Sequence, residues 1–206
     1  MSALREIVVA TGNPHKVEEI REILGPSGLV FRSLDDVGGP FPEPDETGRT
    51  FEANARIKAV AYARATGRTV LADDSGLEVD ALGGEPGVDS AIWAGAHGTR
   101  AERDARNNAK LAERMRGVAA DARAARFVCC MCLADAAGRV LAEARGTFEG
   151  RIGDVPRGAH GFGYDPWLWL DDAGCSSAEL PAHEKNARSH RGQAARAMAA
   201  VLGMLA

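Results

Sequence analysis

Ile7-Val8-Val9-Ala10-Thr11-Gly12-Asn13-Pro14-His15-Lys16 reads as a strand, a tight loop and the start of a helix. Asn13 suits the N-cap, and Pro14 suits the first helical turn, where its missing N–H would find no partner anyway. Val17, Ile20 and Leu24 follow at helical spacing, and Gly25-Pro26 closes the run. The same punctuation recurs along the chain. Leu29 to Leu34 is a second strand, and residues 35–48 are a loop carrying Glu43, Asp45 and Glu46. A helix is predicted over Thr50 to Ala65, stopped by Gly67, then a strand over Thr69 to Ala72. A helix over Arg100 to Met115 precedes strands over 124–134 and 139–148, which turn at Ala136-Ala137-Gly138. Trp167 to Leu170 is a short strand. A last helix spans Ser189 to Leu205, with Met198, Val201, Leu202 and Leu205 on its buried stripe. Alternating strands and helices predict an α/β fold with a mixed sheet. No repeat and no linker divides the chain, so residues 1–206 are expected to form a single domain.

Composition narrows the function. The 206 residues are 45% hydrophobic and 26% charged, with a formal net charge of -4. Such a chain has no broad basic field for duplex DNA or an anionic membrane. The apolar run at 7–10 is too short for a secretory signal, and no stretch approaches the roughly 20 apolar residues of a membrane span. The expectation is a cytoplasmic protein without membrane or nucleic-acid partners. Cys129, Cys130 and Cys132 lack the second ligand pair of a zinc site. They read as small hydrophobes in a strand buried on both faces. Only four of the 25 basic residues are lysine: Lys16, Lys58, Lys110 and Lys185. In a chain that otherwise uses arginine, a retained lysine points to a need for a compact, flexible ammonium, or to chance.

Four constellations carry chemistry. Thr11 to Lys16 places open backbone N–H groups, two neutral hydrogen-bonding side chains and an ammonium at a helix N-terminus, which suits phosphate. The plain alternative is a strand-to-helix turn. Asn54 and Lys58 lie four apart and share one helix face, where they can donate to an anion or simply be solvated. Asp73-Asp74-Ser75-Gly76 follows an apolar strand. Two adjacent carboxylates there call for a cation, such as Mg²⁺, or for work as a base, unless the segment is an ordinary turn. Gly161-Phe162-Gly163-Tyr164-Asp165-Pro166 holds an aromatic ring in a glycine-rich loop, a platform for a base if it is not core. Lys185, His190 and Arg191 can add donors for the O6 of an oxo-purine.

The ordered set TGNPHK, FEANARIKA, ADDSGLEVDALGGEPGVDSA, GFGYDP and EKNARSHRGQA, running from Thr11 to Ala194, resembles the HAM1 family of inosine/xanthosine triphosphate pyrophosphatases. Each motif is weak alone; five in this order are specific. The resemblance implies hydrolysis of ITP, XTP and their deoxy forms to the monophosphate and pyrophosphate, with Mg²⁺. It also implies an elongated mixed sheet flanked by helices, two lobes with a central nucleotide cleft, and a homodimer. Carried over residue by residue, Thr11, Gly12, Asn13, Pro14, His15 and Lys16 cradle the triphosphate, and Asn54 and Lys58 face it. Asp74 is proton acceptor and metal ligand, Glu46 is a second metal carboxylate, and Ser75 touches the nucleotide. Phe162, Gly163, Tyr164, Asp165, Lys185, His190 and Arg191 recognise the base and sugar. One departure is Ile92, where many relatives carry a basic residue. Two rivals remain at this point: a Maf-like pyrophosphatase with another base pocket, and a nucleotide-binding sensor without catalysis.

Overall fold

The computed structural model describes residues 6–25 and 28–205; the side chains of Pro14, His15, Met204 and Leu205 lie outside that description, as does Pro26. The elements in chain order are β1 (Glu6–Ala10), α1 (Pro14–Leu24), β2 (Val30–Ser33), α2 (Phe51–Thr66), β3 (Val70–Val79), α3 (Arg100–Arg114), β4 (Ala124–Ala134), β5 (Val140–Ile152), β6 (Leu168–Leu170), β7 (Cys175–Ser176), α4 (Ala182–Arg188) and α5 (His190–Leu205). The strands form one seven-stranded sheet in the order β2-β1-β3-β4-β5-β6-β7. β1 runs parallel to β2 and β3, while β6 is antiparallel to β5 and β7, so the sheet is mixed as the strand–helix alternation predicted.

Local chemistry sets most element ends. The Thr50 hydroxyl accepts from the Ala53 N–H to cap α2, and Gly67 ends it at φ 63. Thr99 and Glu102 form a reciprocal capping box at the start of α3. In both helices a side chain satisfies a backbone N–H that the first turn leaves open. β4 and β5 meet at a turn where Gly138 donates to the Asp135 carbonyl.

Three differences from the sequence reading stand out. β3 does not end before Asp73: it continues through Asp73-Asp74-Ser75-Gly76 to Val79. The acids stay in the strand because cations on neighbouring helices compensate them. β5 likewise extends past Phe148 to Ile152. The strand β7 and the seven-residue helix α4 were not anticipated, and both are too short to show periodicity.

Chain contacts divide the protein into two compact units, 1–74 with 129–146 and 190–206, and 75–128 with 147–189. The core of the first unit follows strand alternation. Ile7 and Val9, Leu71, and Cys129, Met131 and Leu133 pack with Val17, Ile20 and Leu24 of α1 and with Ala194, Ala195, Met198 and Leu202 of α5. Cys129, Cys130 and Cys132 are buried free thiols, in keeping with their reading as core. In the second unit Leu77, Val79, Leu111, Phe127, Phe148, Ile152 and Leu168 gather around Tyr164 and Trp167. Met131 is 1% exposed in the first core. Met131→Ala is therefore expected to cost about 2–5 kcal/mol in urea denaturation, as a transfer loss plus a cavity.

Candidate active site

β3 carries the centre of the site in the first unit. Successive strand residues point to opposite faces, so Asp73 faces the side of Leu71 and Asp74 the other. Asp73 is 2% exposed, and its Oδ2 lies 2.8 Å from Lys16 Nζ of α1 and 3.5 Å from an Arg191 terminal nitrogen of α5. The Cys129 thiol stands 3.9 Å from the same oxygen. Burial alone would raise the Asp73 pKa. The charges of Lys16, Arg191 and Lys58 overcome it and hold the carboxyl well below the usual carboxylate range. Its Oδ1 is buried and has no hydrogen-bond partner among the described residues.

On the opposite face, α2 supplies two partners for Asp74 from one helical stripe. Lys58 Nζ donates to Asp74 Oδ1 at 2.8 Å, and Asn54 Nδ2 donates to Oδ2 at 3.3 Å. Lys58 also lies 2.8 Å from Glu46 Oε2, so one ammonium bridges two carboxylates. The Asn54 Oδ1 accepts from the Gly48 N–H at 2.8 Å, which fixes the loop behind Glu46. A side chain at Gly48 would collide with Asn54 and Ala53, so glycine is required for that approach. Asp74 differs from Asp73 in its titration. Burial raises its pKa, Lys58 and Lys16 pull it down, Glu46 pushes it up, and the balance is upward. The Lys58 ammonium is held protonated: burial opposes it, but Asp74, Asp73 and Glu46 prevail.

The loop before α1 completes this unit's polar surface. Thr11 Oγ1 accepts from the Asn13 N–H at 3.2 Å, and the Asn13 carbonyl accepts from the Lys16 and Val17 amides. Asn13 is buried, while Gly12 is exposed with open space beside it. The side chains of Pro14 and His15, expected to join this cradle, lie outside the described residues.

In the second unit, the 161–165 loop is built around Asp165. Its Oδ2 accepts from the Phe162 N–H at 2.8 Å and from Lys185 Nζ at 2.6 Å, and its Oδ1 accepts from the Ser177 hydroxyl at 2.8 Å. Gly161 has φ 77, and any Cβ there would strike Asp165 and Lys185. The Tyr164 hydroxyl donates to the Ser90 carbonyl at 2.9 Å, and burial raises its pKa. Ser75 is half-buried in β3, and Ile92 is 47% exposed.

In the first unit the structure thus brings Asn54, Lys58, Asp74 and Glu46 together on one face of β3 and pairs Lys16 with Asp73 on the other; in the second it gathers Phe162 to Asp165 with Lys185. His190 and Arg191 begin α5 and belong to the first unit. Arg191 is 2% exposed, and its guanidinium is engaged by Asp73 and by Glu19 of α1. Both of these ion-pair partners are acids, and Asp73 is also the partner of Lys16. Sequence reading missed Glu19, Ser177 and the face of α3 that holds Gly163. Glu19 lies three residues beyond Lys16 on a helix, a spacing that puts both on one side.

Residues 7–201 match the Ham1 family model. The chain is 49% identical over 195 residues to a dITP/XTP pyrophosphatase of an Exiguobacterium species, covering 95% of each protein. It is 48% identical to a dITP/XTP pyrophosphatase of Thermus thermophilus, covering 94% of this chain and 89% of the relative. A HAM1 protein from Coxiella burnetii superposes with TM-score 0.85 at 39% identity, over 97% of this chain and 98% of that one.

Asp73→Asn removes the carboxylate that half-buried Lys16 and buried Arg191 share. It is expected to destabilise the fold by about 3–5 kcal/mol in chemical denaturation, because breaking a buried pair leaves uncompensated charge. Glu46→Gln, whose carboxylate is 32% exposed, should cost far less.

Proposed function

The chain belongs to the Ham1 family, and from that premise we propose that it hydrolyses purine nucleoside triphosphates with a 6-oxo base, ITP, XTP and their deoxy forms, to the monophosphate and pyrophosphate. The observation that carries the proposal is the arrangement on β3: adjacent acids on opposite faces, each paired at 2.8 Å with a lysine from a flanking helix. Such lysines can exchange a carboxylate for a phosphate oxygen, since an ammonium is a compact, rotatable donor.

A divalent cation fits the acidic side of this array. Glu46 and Asp74 already converge on one positive charge, that of Lys58. Mg²⁺ commonly uses one or two carboxylates and completes its shell with water and phosphate. Among the described residues no group of three or more His, Cys, Asp or Glu could hold a metal ion, so the substrate phosphates would have to complete the site. When bound by Glu46 and Asp74, Mg²⁺ would neutralise charge on the polyphosphate.

The protein's own residues do the rest. Lys16, Lys58 and the amides of the Thr11 to Lys16 loop receive the phosphates, with Asn54 fixing both Asp74 and the Gly48 loop. Water attacks the α-phosphorus, the bridging bond to the β-phosphate breaks, and pyrophosphate leaves with the bonding electrons. Asp74, whose raised pKa makes it the better base of the two acids, accepts the proton from water. Asp73, held ionised among Lys16 and Arg191, is a fixed counter-charge. Phe162 is the platform for the base, Asp165 and Lys185 meet its edge, and Ser75, Gly163, Tyr164 and His190 line the nucleotide. Arg191 serves through Asp73 and Glu19. A pocket of donors accepts O6 and leaves the adenine amino group unpaired. By resemblance to the family we also propose a homodimer and a cytoplasmic setting; no helix among the described residues is long and apolar enough to cross a membrane.

The test is product release from ITP, XTP, GTP and ATP with Mg²⁺, scoring pyrophosphate apart from orthophosphate. Pyrophosphate from ITP and XTP with little from the others is expected. Orthophosphate alone, or tight binding without turnover, would overturn the reading, the latter in favour of a sensor. Asp74→Asn is expected to lose about 10²–10⁴-fold in kcat, the range for general-base catalysis, and wild-type turnover in that variant would remove Asp74 from the mechanism.

A further inference from the structure

Helix α3 presents Arg100, Asp104 and Asn108 at intervals of four, so all three lie along one face. That face meets the Phe162 loop. Asp104 Oδ2 accepts from the Gly163 N–H at 3.2 Å, and Asn108 Nδ2 donates to the Gly163 carbonyl at 3.0 Å. Together they clamp both ends of the glycine that follows the ring. Arg100 then lies over the ring itself, its Cζ 4.8 Å from the Phe162 centroid. This is within cation–π range.

Among the described residues two cations lie over the ring, Arg100 from α3 and Lys185 from α4, and two acids hold the loop that carries it, Asp104 from α3 and Asp165 from the loop itself. Each acid spends an oxygen on a backbone amide, Asp165 on Phe162 and Asp104 on Gly163. The Lys185 charge is matched closely by Asp165 at 2.6 Å, and its Nζ stands 5.5 Å from the ring centroid. Arg100 is matched loosely, 3.8 Å from Asp104, and its side chain is 43% exposed. Positive charge therefore converges on the ring, and Arg100 is its less compensated source.

We propose that Arg100 is a specificity-determining residue that favours xanthine over hypoxanthine at the Phe162 platform. The proposal rests on the reading of Phe162 as that platform. Its chemistry is simple. The 2-oxo group of xanthosine acidifies the neighbouring N3–H, so the base loses a proton near neutrality and becomes an anion. Hypoxanthine and guanine stay neutral there. A guanidinium that never deprotonates favours the anion, whereas a neutral side chain would not.

The experiment compares the full-length wild type with Arg100→Gln and Arg100→Lys, using kcat/KM for XTP and ITP with Mg²⁺ from pH 5 to pH 7.5, a range over which hypoxanthine keeps its N1 proton. In the wild type the XTP:ITP ratio should rise with pH as xanthine ionises. Arg100→Gln should lower XTP about tenfold more than ITP at the alkaline end, the scale of one partly solvated charge at this distance. It should also flatten the rise with pH. Arg100→Lys, which keeps the charge, should restore most of both effects. A wild-type ratio and pH profile in Arg100→Gln would overturn the inference, as would equal losses on XTP and ITP in both variants, which indicate packing alone. Absence of pyrophosphate release by the wild type from either nucleotide would instead defeat the functional reading, and this inference with it.

Discussion

Two adjacent carboxylates inside a β-strand set the terms for the first unit. Asp73 and Asp74 are 2% and 7% exposed, and strand geometry sends them to opposite faces. Leaving either charge buried and unmatched would cost several kcal/mol, roughly the whole margin of a folded domain. Each face must therefore bring a cation on a helix. On one side α1 supplies Lys16 and α5 supplies Arg191. On the other α2 supplies Lys58, with Asn54 one turn earlier. The apolar contacts that seat α1 and α5, through Ile20, Leu24, Met198 and Leu202, thus have an electrostatic consequence. They deliver the counter-charges that allow β3 to continue.

The two carboxyls are alike in sequence and differ in environment. Asp73 faces Lys16 and Arg191 and is driven toward its ionised form. Asp74 faces Lys58 but also Glu46, and burial with that second acid tips it upward. One strand thereby holds a carboxyl driven toward its ionised form beside one pushed the other way, separated only by the alternation of the strand. In the proposed reaction a cation held by Glu46 and Asp74 would release Lys58 from its bridging role and leave its ammonium for phosphate.

Much of this was legible beforehand, for reasons that differ by element. α1 announces itself through its cap, its glycine stop and its apolar spacing, α2 through the Gly67 stop, and the observed ends of α1, α2 and α3 lie within a residue or two of the expected ones. Asn54 and Lys58 were readable as one helix face, and both do converge on Asp74. The course of β3 was not readable. Asp-Asp-Ser-Gly has the composition of a turn, and aspartate is depleted from strands. What overrides that preference comes from Lys16, Lys58 and Arg191, which are remote in sequence. The α4 helix, seven residues after Pro181, is too short for its period to speak. The grip of Asp104 and Asn108 on Gly163 depends on which face of α3 turns inward, a choice that the charged pattern of that helix does not reveal.

The division of labour between lysine and arginine follows the same physics. Lys16, Lys58 and Lys185 each end on a carboxylate at 2.6–2.8 Å, and their side chains are 7–14% exposed. The fourth, Lys110, donates to the Trp93 carbonyl at 2.7 Å and lies over its ring. An ammonium on a four-carbon stem can rotate from one oxygen to another without disturbing its neighbours. In the proposed reaction that property suits Lys16 and Lys58, whose carboxylates would yield their partner to a phosphate. Arg191 has the opposite character: its planar fork is fixed between Glu19 and Asp73 and almost wholly enclosed. A planar group so held is poorly suited to exchange and well suited to hold an acid in place. Lys16 and Lys58 thus differ in kind from Arg191: compact, rotatable ammonium groups on carboxylates against a planar group enclosed between two acids.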